Sequence, residues 1–198
     1  MRKLVQLQIP FESLIDTLTS LDIDQLYQLK NVLDRAIEQN KYNKLRDLLA
    51  AGEWLEADKE TAAVMWTISG SKIPGFIHGE YINKIPCEDL QAIDNLWTKY
   101  SNGRFGFSVQ KRIWDDVGGK PYDTYDILDL KSFTKVCKKF CSLVGWHYTF
   151  GSIPFSLNAP AGRLPTYRWV GAEGGVINMA ERYFKYFIAT KLISCNIG

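Results

Sequence analysis

KLRDLLAAGEWLEADKETAAVMWTIS, residues 44–69, decides the fold class. Leu45, Leu48 and Leu49 recur at helical spacing and stop at Gly52; Trp54, Ala57, Thr61, Val64, Met65 and Ile68 then resume the same period. Apolar residues at i, i+3, i+4 and i+7 predict an amphipathic helix, and a glycine just past the last periodic residue is a common left-handed stop. The stretch reads as a helix, a glycine turn and a helix. Between the apolar positions, Glu53, Glu56, Asp58 and Glu60 read as a solvated face, with Asp58 and Thr61 bonding locally.

The helical period continues in both directions. Toward the N-terminus, Pro10 opens a short helix carrying Leu14, Ile15 and Leu18. Asp22 with Gln25 three residues on is a capping-box pattern ahead of a stripe of Leu26, Leu29, Val32 or Leu33, and Ile37. Polar EQNKYNK, residues 38–44, separates this helical hairpin (1–40) from a main domain (41–198). Some 40 residues cannot bury a core alone, so the hairpin has to pack on something. Toward the C-terminus, Pro86 opens a helix with Glu88 and Asp89 in its first turn and a stripe of Leu90, Ile93, Leu96 and Trp97. Phe105 to Val117 lead into another helix that ends at Gly118-Gly119. LKSFTKVCKKFCSLVGW (130–146) places Phe133, Val136, Cys137, Phe140, Cys141 and Val144 inside, with Lys131, Lys135, Lys138 and Lys139 outside. A last helix is expected over about 178–194. Strand alternation is absent, and the expected fold is all-α.

The 198 residues are 46% apolar and 13% aromatic, which excludes disorder for most of the chain. No apolar run approaches the roughly 18 residues of a membrane-spanning helix. The start, MRKLVQLQIP, lacks the apolar stretch of a secretory signal, so a cytoplasm-like compartment is expected. Cys87, Cys137, Cys141 and Cys195 are too sparse for a disulfide scaffold and are expected as reduced thiols.

The net charge of +2 hides an asymmetry. Residues 1–100 carry 11 basic and 15 acidic side chains, residues 101–198 carry 13 and 7. From Leu130 onward nine Lys/Arg stand against Glu173 and Glu181, and twelve aromatics lie between Phe133 and Phe187. A basic, aromatic-rich third calls for an anionic partner with a flat or apolar body: a nucleic acid, a lipid surface or a small anionic ring compound. The 27 residues from Phe150 to Val176 contain three prolines and five glycines yet carry Phe155, Leu157, Leu164, Tyr167 and Trp169, with Arg163 and Arg168 among them. So long a loop with so much apolar bulk reads as a binding loop.

Catalysis has little to work with. His78 and His147 sit near no nucleophile pattern, and DDVGGK and GAEGGV lack the strand, helix and Lys-Ser/Thr of a phosphate loop. Cys137-x3-Cys141 with His147 has a spacing that reaches a metal, but cysteines on the apolar side of a helix read as core. The usual nucleic-acid modules are missing, so nucleic acid is not expected as a partner. A planar dicarboxylate with an apolar macrocycle suits the same groups: an apolar cup, aromatic walls and guanidinium at the rim.

IPCEDLQAIDNLWTKYSNGRFGFSVQKRIW (85–114), LRDLLAAGEWLEADKETAAVMW (45–66), GW (145–146) and FSLNAPAGRLP (155–165) together resemble the genomes-uncoupled 4 family of tetrapyrrole-binding regulators, over about residues 41–198. The resemblance implies an all-helical domain with a concave apolar surface and a long mobile loop. It implies a non-catalytic protein that binds protoporphyrin IX or Mg-protoporphyrin IX and stimulates magnesium chelatase in chlorophyll synthesis. An open-chain bilin is the alternative ligand, and a ligand-free helical adaptor the alternative role. Carried onto this sequence, the ligand-binding positions are Leu96, Phe105, Phe107, Trp146, Phe155, Leu157, Arg163, Leu164, Arg168, Trp169, Met179 and Arg182. Arg163, Arg168 and Arg182 are the expected propionate partners, with Lys185 behind them, while Val109 reads as core. Arg163 stands where the family pattern has a histidine, and Lys191 where it has an arginine. The implied partner is the porphyrin-binding subunit of magnesium chelatase. A monomer is expected, peripheral to a thylakoid or envelope membrane, in a cyanobacterium-like cytoplasm or the plastid stroma.

Overall fold

The computed structural model describes residues 10–72, 77, 79–120, 130–146, 155–166 and 188–198. Every regular element among them is helical. The chain divides into two units, Met1–Lys41 and Tyr42–Gly198.

The first unit holds α1 (Phe11–Thr19) and α2 (Ile23–Asn40). Asp22 caps α2 as a reciprocal box: Gln25 N–H donates to Asp22 Oδ1 (2.8 Å) and Asp22 N–H donates to Gln25 Oε1 (3.1 Å). No described side chain between Pro10 and Asn40 is buried; Leu18, Leu21 and Leu29 are half-buried.

The second unit begins with α3 (Asn43–Ala51) and α4 (Trp54–Ser69), which pack on each other across Gly52. Gly52 takes φ +74° and closes α3, as the spacing predicted. Next come α5 (Gly79–Ile82), α6 (Cys87–Tyr100), α7 (Phe107–Asp116), α8 (Leu130–Leu143) and α9 (Ala189–Ser194). Only the end of the helix expected over 178–194 lies within the described residues, as α9. α3 also packs on α6, and α7 contacts α6, α8 and α9.

The core is aromatic. The rings of Trp54, Trp97 and Phe105 meet at centroid distances of 5.7–6.3 Å, and Phe140 stands edge-on to Trp114 and Trp146 at 5.6 Å each. The buried Trp97 indole N–H donates to Thr61 Oγ1 (2.9 Å), which gives the polar edge of that ring a partner on α4. On α8 the expected division holds among the described side chains: Cys137, Phe140, Cys141 and the following Val144 are buried and Val136 is half-buried, while Lys135, Lys138 and Lys139 are exposed; the side chains of Lys131 and Phe133 lie outside the described residues.

One expectation is overturned. Cys87 and Cys195 form a disulfide, S–S 2.03 Å, whereas Cys137 and Cys141 are buried outside any disulfide. Counting cysteines missed the bond because its partners are 108 residues apart. They meet only because the C-terminal segment returns to the start of α6, where Lys191 Nζ also donates to the Asn83 carbonyl (3.0 Å).

Candidate functional site

The turn GRFGF (103–107) and the segment FSLNAPAGRLPT (155–166) are far apart in sequence and bonded together in the fold. Gly106 N–H donates to the Leu164 carbonyl (3.0 Å), and Gly162 N–H donates to the Arg104 carbonyl (2.9 Å). Arg104 Nε donates to the Ala159 carbonyl (2.8 Å). Gly106 takes φ +128° and lies against α6, where a Cβ would come within 2.6 Å of Asp94 Oδ1, so the turn needs glycine there.

Three more side chains fasten the segment to separate helices. Gln110 on α7 is fully buried and its Nε2 donates to the Gly162 (2.9 Å) and Pro165 (2.8 Å) carbonyls. The Trp146 indole N–H, just past α8, donates to the Arg163 carbonyl (2.9 Å). Asp58 on α4, only 1% exposed, accepts the Thr166 N–H at Oδ1 (2.6 Å) and the Thr166 hydroxyl at Oδ2 (2.5 Å). Asp58 is thus no part of a solvated carboxylate face and bonds to a residue 108 positions away. Its spacing held the signal, since 54, 57, 58, 61 and 65 form one helical stripe and Asp58 is the charged member of a buried set. Gln110 and Thr166 gave no comparable signal.

Asp94 on α6 completes the frame by accepting the Ser108 N–H in the first turn of α7 (2.9 Å). This satisfies one of the helix's orphan donors from another helix. Burial raises the Asp94 carboxyl above its ordinary range, against the lowering pull of the Ser108 hydrogen bonds and of the Arg112 charge.

The expected ligand-binding positions fall into three groups. Phe105, Phe107, Trp146, Arg163 and Leu164 are buried, Arg163 at 3% exposure, and the fold brings them together where the turn meets the segment. Leu96 and Phe155 are half-buried against the core, and Leu157 is 44% exposed. Arg168, Trp169, Met179 and Arg182 lie outside the described residues, as do Lys185, His78 and His147. Val109 is buried, in line with its reading as core. Of the long loop, residues 155–166 are hydrogen-bonded into the frame, and the rest lies outside the described residues.

A family described as GUN4-like has a model that matches residues 35–176. The chain is 28% identical over 157 residues to the "Uncharacterized protein ycf53" of Cyanidium caldarium, covering 75% of this chain and 58% of that protein. Over 75 residues it is 43% identical to the "Tetrapyrrole-binding protein, chloroplastic" of Arabidopsis thaliana, covering 37% of this chain and 28% of that one. It therefore spans less than two thirds of either curated relative. The structure of GUN4 from Chlamydomonas reinhardtii superposes with a TM-score of 0.52 at 29% identity, covering 72% of this chain and 86% of the other. The all-helical fold agrees with that match.

Proposed function

The chain belongs to the GUN4-like family, and from that premise we propose that it binds a tetrapyrrole without transforming it. The observation that carries this reading is the frame itself. A 12-residue apolar segment is fixed by Asp58, Gln110 and Trp146 so that Phe155 and Leu157 stay accessible at one end, while Arg168 and Trp169 follow within three residues of the other. The name of the Arabidopsis thaliana relative supplies the ligand class. The ligand is protoporphyrin IX or its magnesium form.

On this reading Leu96, Phe155 and Leu157 with Trp169 and Met179 cover the macrocycle and exclude water. Arg168 and Arg182 hold the two propionates as charge-assisted, forked pairs. Arg163, being buried, acts by shaping the segment and not at the rim. The protein carries the ring to the porphyrin-binding subunit of magnesium chelatase and stimulates that enzyme. It works in a plastid or a cyanobacterial cytoplasm, and the exposed lysines of α8 favour an anionic membrane surface.

A paired titration tests this. Protein is mixed with protoporphyrin IX, Mg-protoporphyrin IX and biliverdin, following absorbance shifts and tryptophan quenching. Saturable binding of the cyclic ligands, weakened about tenfold in Arg168→Ala or Leu157→Asp, is expected; tenfold is what one lost contact of about 1.4 kcal/mol produces. Preference for biliverdin would move the ligand to an open-chain bilin. Absence of binding to all three would overturn the reading and leave a helical adaptor.

A further inference from the structure

The Cys87–Cys195 bond lies near the surface of the second unit. Both cysteines are half-buried, and the adjoining Pro86, Glu88, Ser194 and Asn196 are exposed, whereas Cys137 and Cys141 are buried. Cys87 is the first residue of α6, and Cys195 is the residue on which α9 ends. That ending is specified locally. Asn196 takes φ +53°, its N–H donates to the Ile193 carbonyl (3.1 Å), and the Ile197 N–H donates to the Leu192 carbonyl (3.0 Å). Two such bonds around a left-handed residue make a Schellman stop, and its two apolar positions, Leu192 and Ile197, are both buried. Residues 188–198 therefore have anchors of their own, namely buried Ile188, Ala189, Leu192 and Ile197 and the bond from Lys191 to the Asn83 carbonyl. The disulfide adds a covalent tie to anchors that remain when it is cut. We propose that Cys87–Cys195 is a reducible clasp: a dithiol reductant of the thioredoxin class opens it, and opening loosens residues 188–198 and, through α7, the segment 155–166.

Three observations carry it. The first is access. Thiol–disulfide exchange begins when a thiolate reaches one sulfur of the bond, and half-buried cysteines between exposed residues admit it where a core bond would not. The second is the path to the ligand frame. α9 packs on α7, and Gly198 lies so close to α7 that a Cβ there would come within 2.6 Å of Lys111 Cγ and 3.9 Å of the Ser108 carbonyl. Between those two residues, Gln110 holds the Gly162 and Pro165 carbonyls. The clasp, α9, α7 and the segment 155–166 thus form one unbroken run of contacts, the kind that carries coupling between distant points. The third is the setting. Where thioredoxins keep thiols reduced, the disulfides that do form are mostly transient or redox-sensing; this argument rests on the plastid or cyanobacterial location proposed above. The step balances as an exchange. One thiolate of the reductant bonds to a cysteine sulfur and expels the other as a thiolate, which takes a proton. The reductant's second thiol then displaces the first sulfur, so the chain gains two electrons and two protons and the reductant leaves as a disulfide.

Native-state alkylation and hydrogen exchange of the full chain, oxidised and then treated with about 1 mM dithiothreitol, test the proposal. Reduction is expected to expose Cys87 and Cys195 to iodoacetamide while Cys137 and Cys141 stay unlabelled, and glutathione disulfide should reverse it. Exchange should rise about tenfold or more at Leu192 and Ile197 and about threefold or more at Gly162 and Thr166, with α3 and α4 amides unchanged. Cys87→Ser/Cys195→Ser should show the reduced pattern at once and ignore dithiothreitol; the wild-type comparison stands without it if that variant folds poorly. A bond that opens only in denaturant would overturn the proposal. So would a reduced chain in which exchange rises throughout, or rises at residues 188–198 and nowhere in 155–166. No tetrapyrrole enters these measurements, so their failure leaves the ligand reading standing, and a failed porphyrin titration leaves their outcome unchanged.

Discussion

Asp58 accepts two hydrogen bonds from Thr166 at a position 1% exposed, so removing its carboxylate strands a buried N–H and a buried hydroxyl together. Asp58→Ala is expected to cost about 3 kcal/mol in urea denaturation, and Asp58→Asn less, because the amide keeps one acceptor oxygen. Asp94 adds a pH dependence. Its folded-state pKa is raised by burial, so the native state holds a proton that the unfolded chain releases above about pH 3.9. Stability supplied by that proton is present at acid pH and is lost as pH rises through the raised value. Asp94→Asn should flatten this decline while keeping an acceptor for Ser108; denaturation midpoints between pH 4 and 7 that fall as steeply as wild type would refute it. Gly106→Ala meets both a left-handed φ of +128° and a 2.6 Å approach to Asp94 Oδ1, and should destabilise by about 2 kcal/mol or more.

At the scale of elements, the segment 155–166 behaves as a strap because its carbonyls are claimed by side chains of α7 and by Trp146 behind α8. Gln110→Ala removes the donor for two of those carbonyls. It should speed hydrogen exchange at Gly162 and Thr166 by about tenfold or more while leaving α3 and α4 amides unchanged, the signature of local opening. The helices were legible beforehand. Gly52 closes α3, Asp22 and Gln25 box α2, and the described side chains from Lys135 to Cys141 on α8 fall inside and outside as the period places them. These are short-range effects, spanning one to four residues. The strap was not legible, because proline and glycine content marks a loop without saying which helix answers its carbonyls.

For the molecule as a whole, ligand binding and folding are linked: a tetrapyrrole that binds only the folded chain should raise its stability by about 2.7 kcal/mol at a hundredfold excess over Kd. A thermal shift that grows with protoporphyrin IX and disappears in Arg168→Ala/Arg182→Ala would be the corresponding observation. The membership strings GRFGFSVQ and FSLNAPAGRLP could be read without coordinates, and so could the helical class, the chain's charge asymmetry and its positions of helix arrest. Those properties reside in contiguous residues, where spacing and backbone preference act directly. What the tertiary structure alone decided was which polar groups go inside and whom they meet: Asp58 with Thr166, Gln110 with Gly162 and Pro165, and Cys87 with Cys195. Each of those pairs joins residues 52 to 108 positions apart, and their meeting depends on the path by which the chain returns, which no local period encodes.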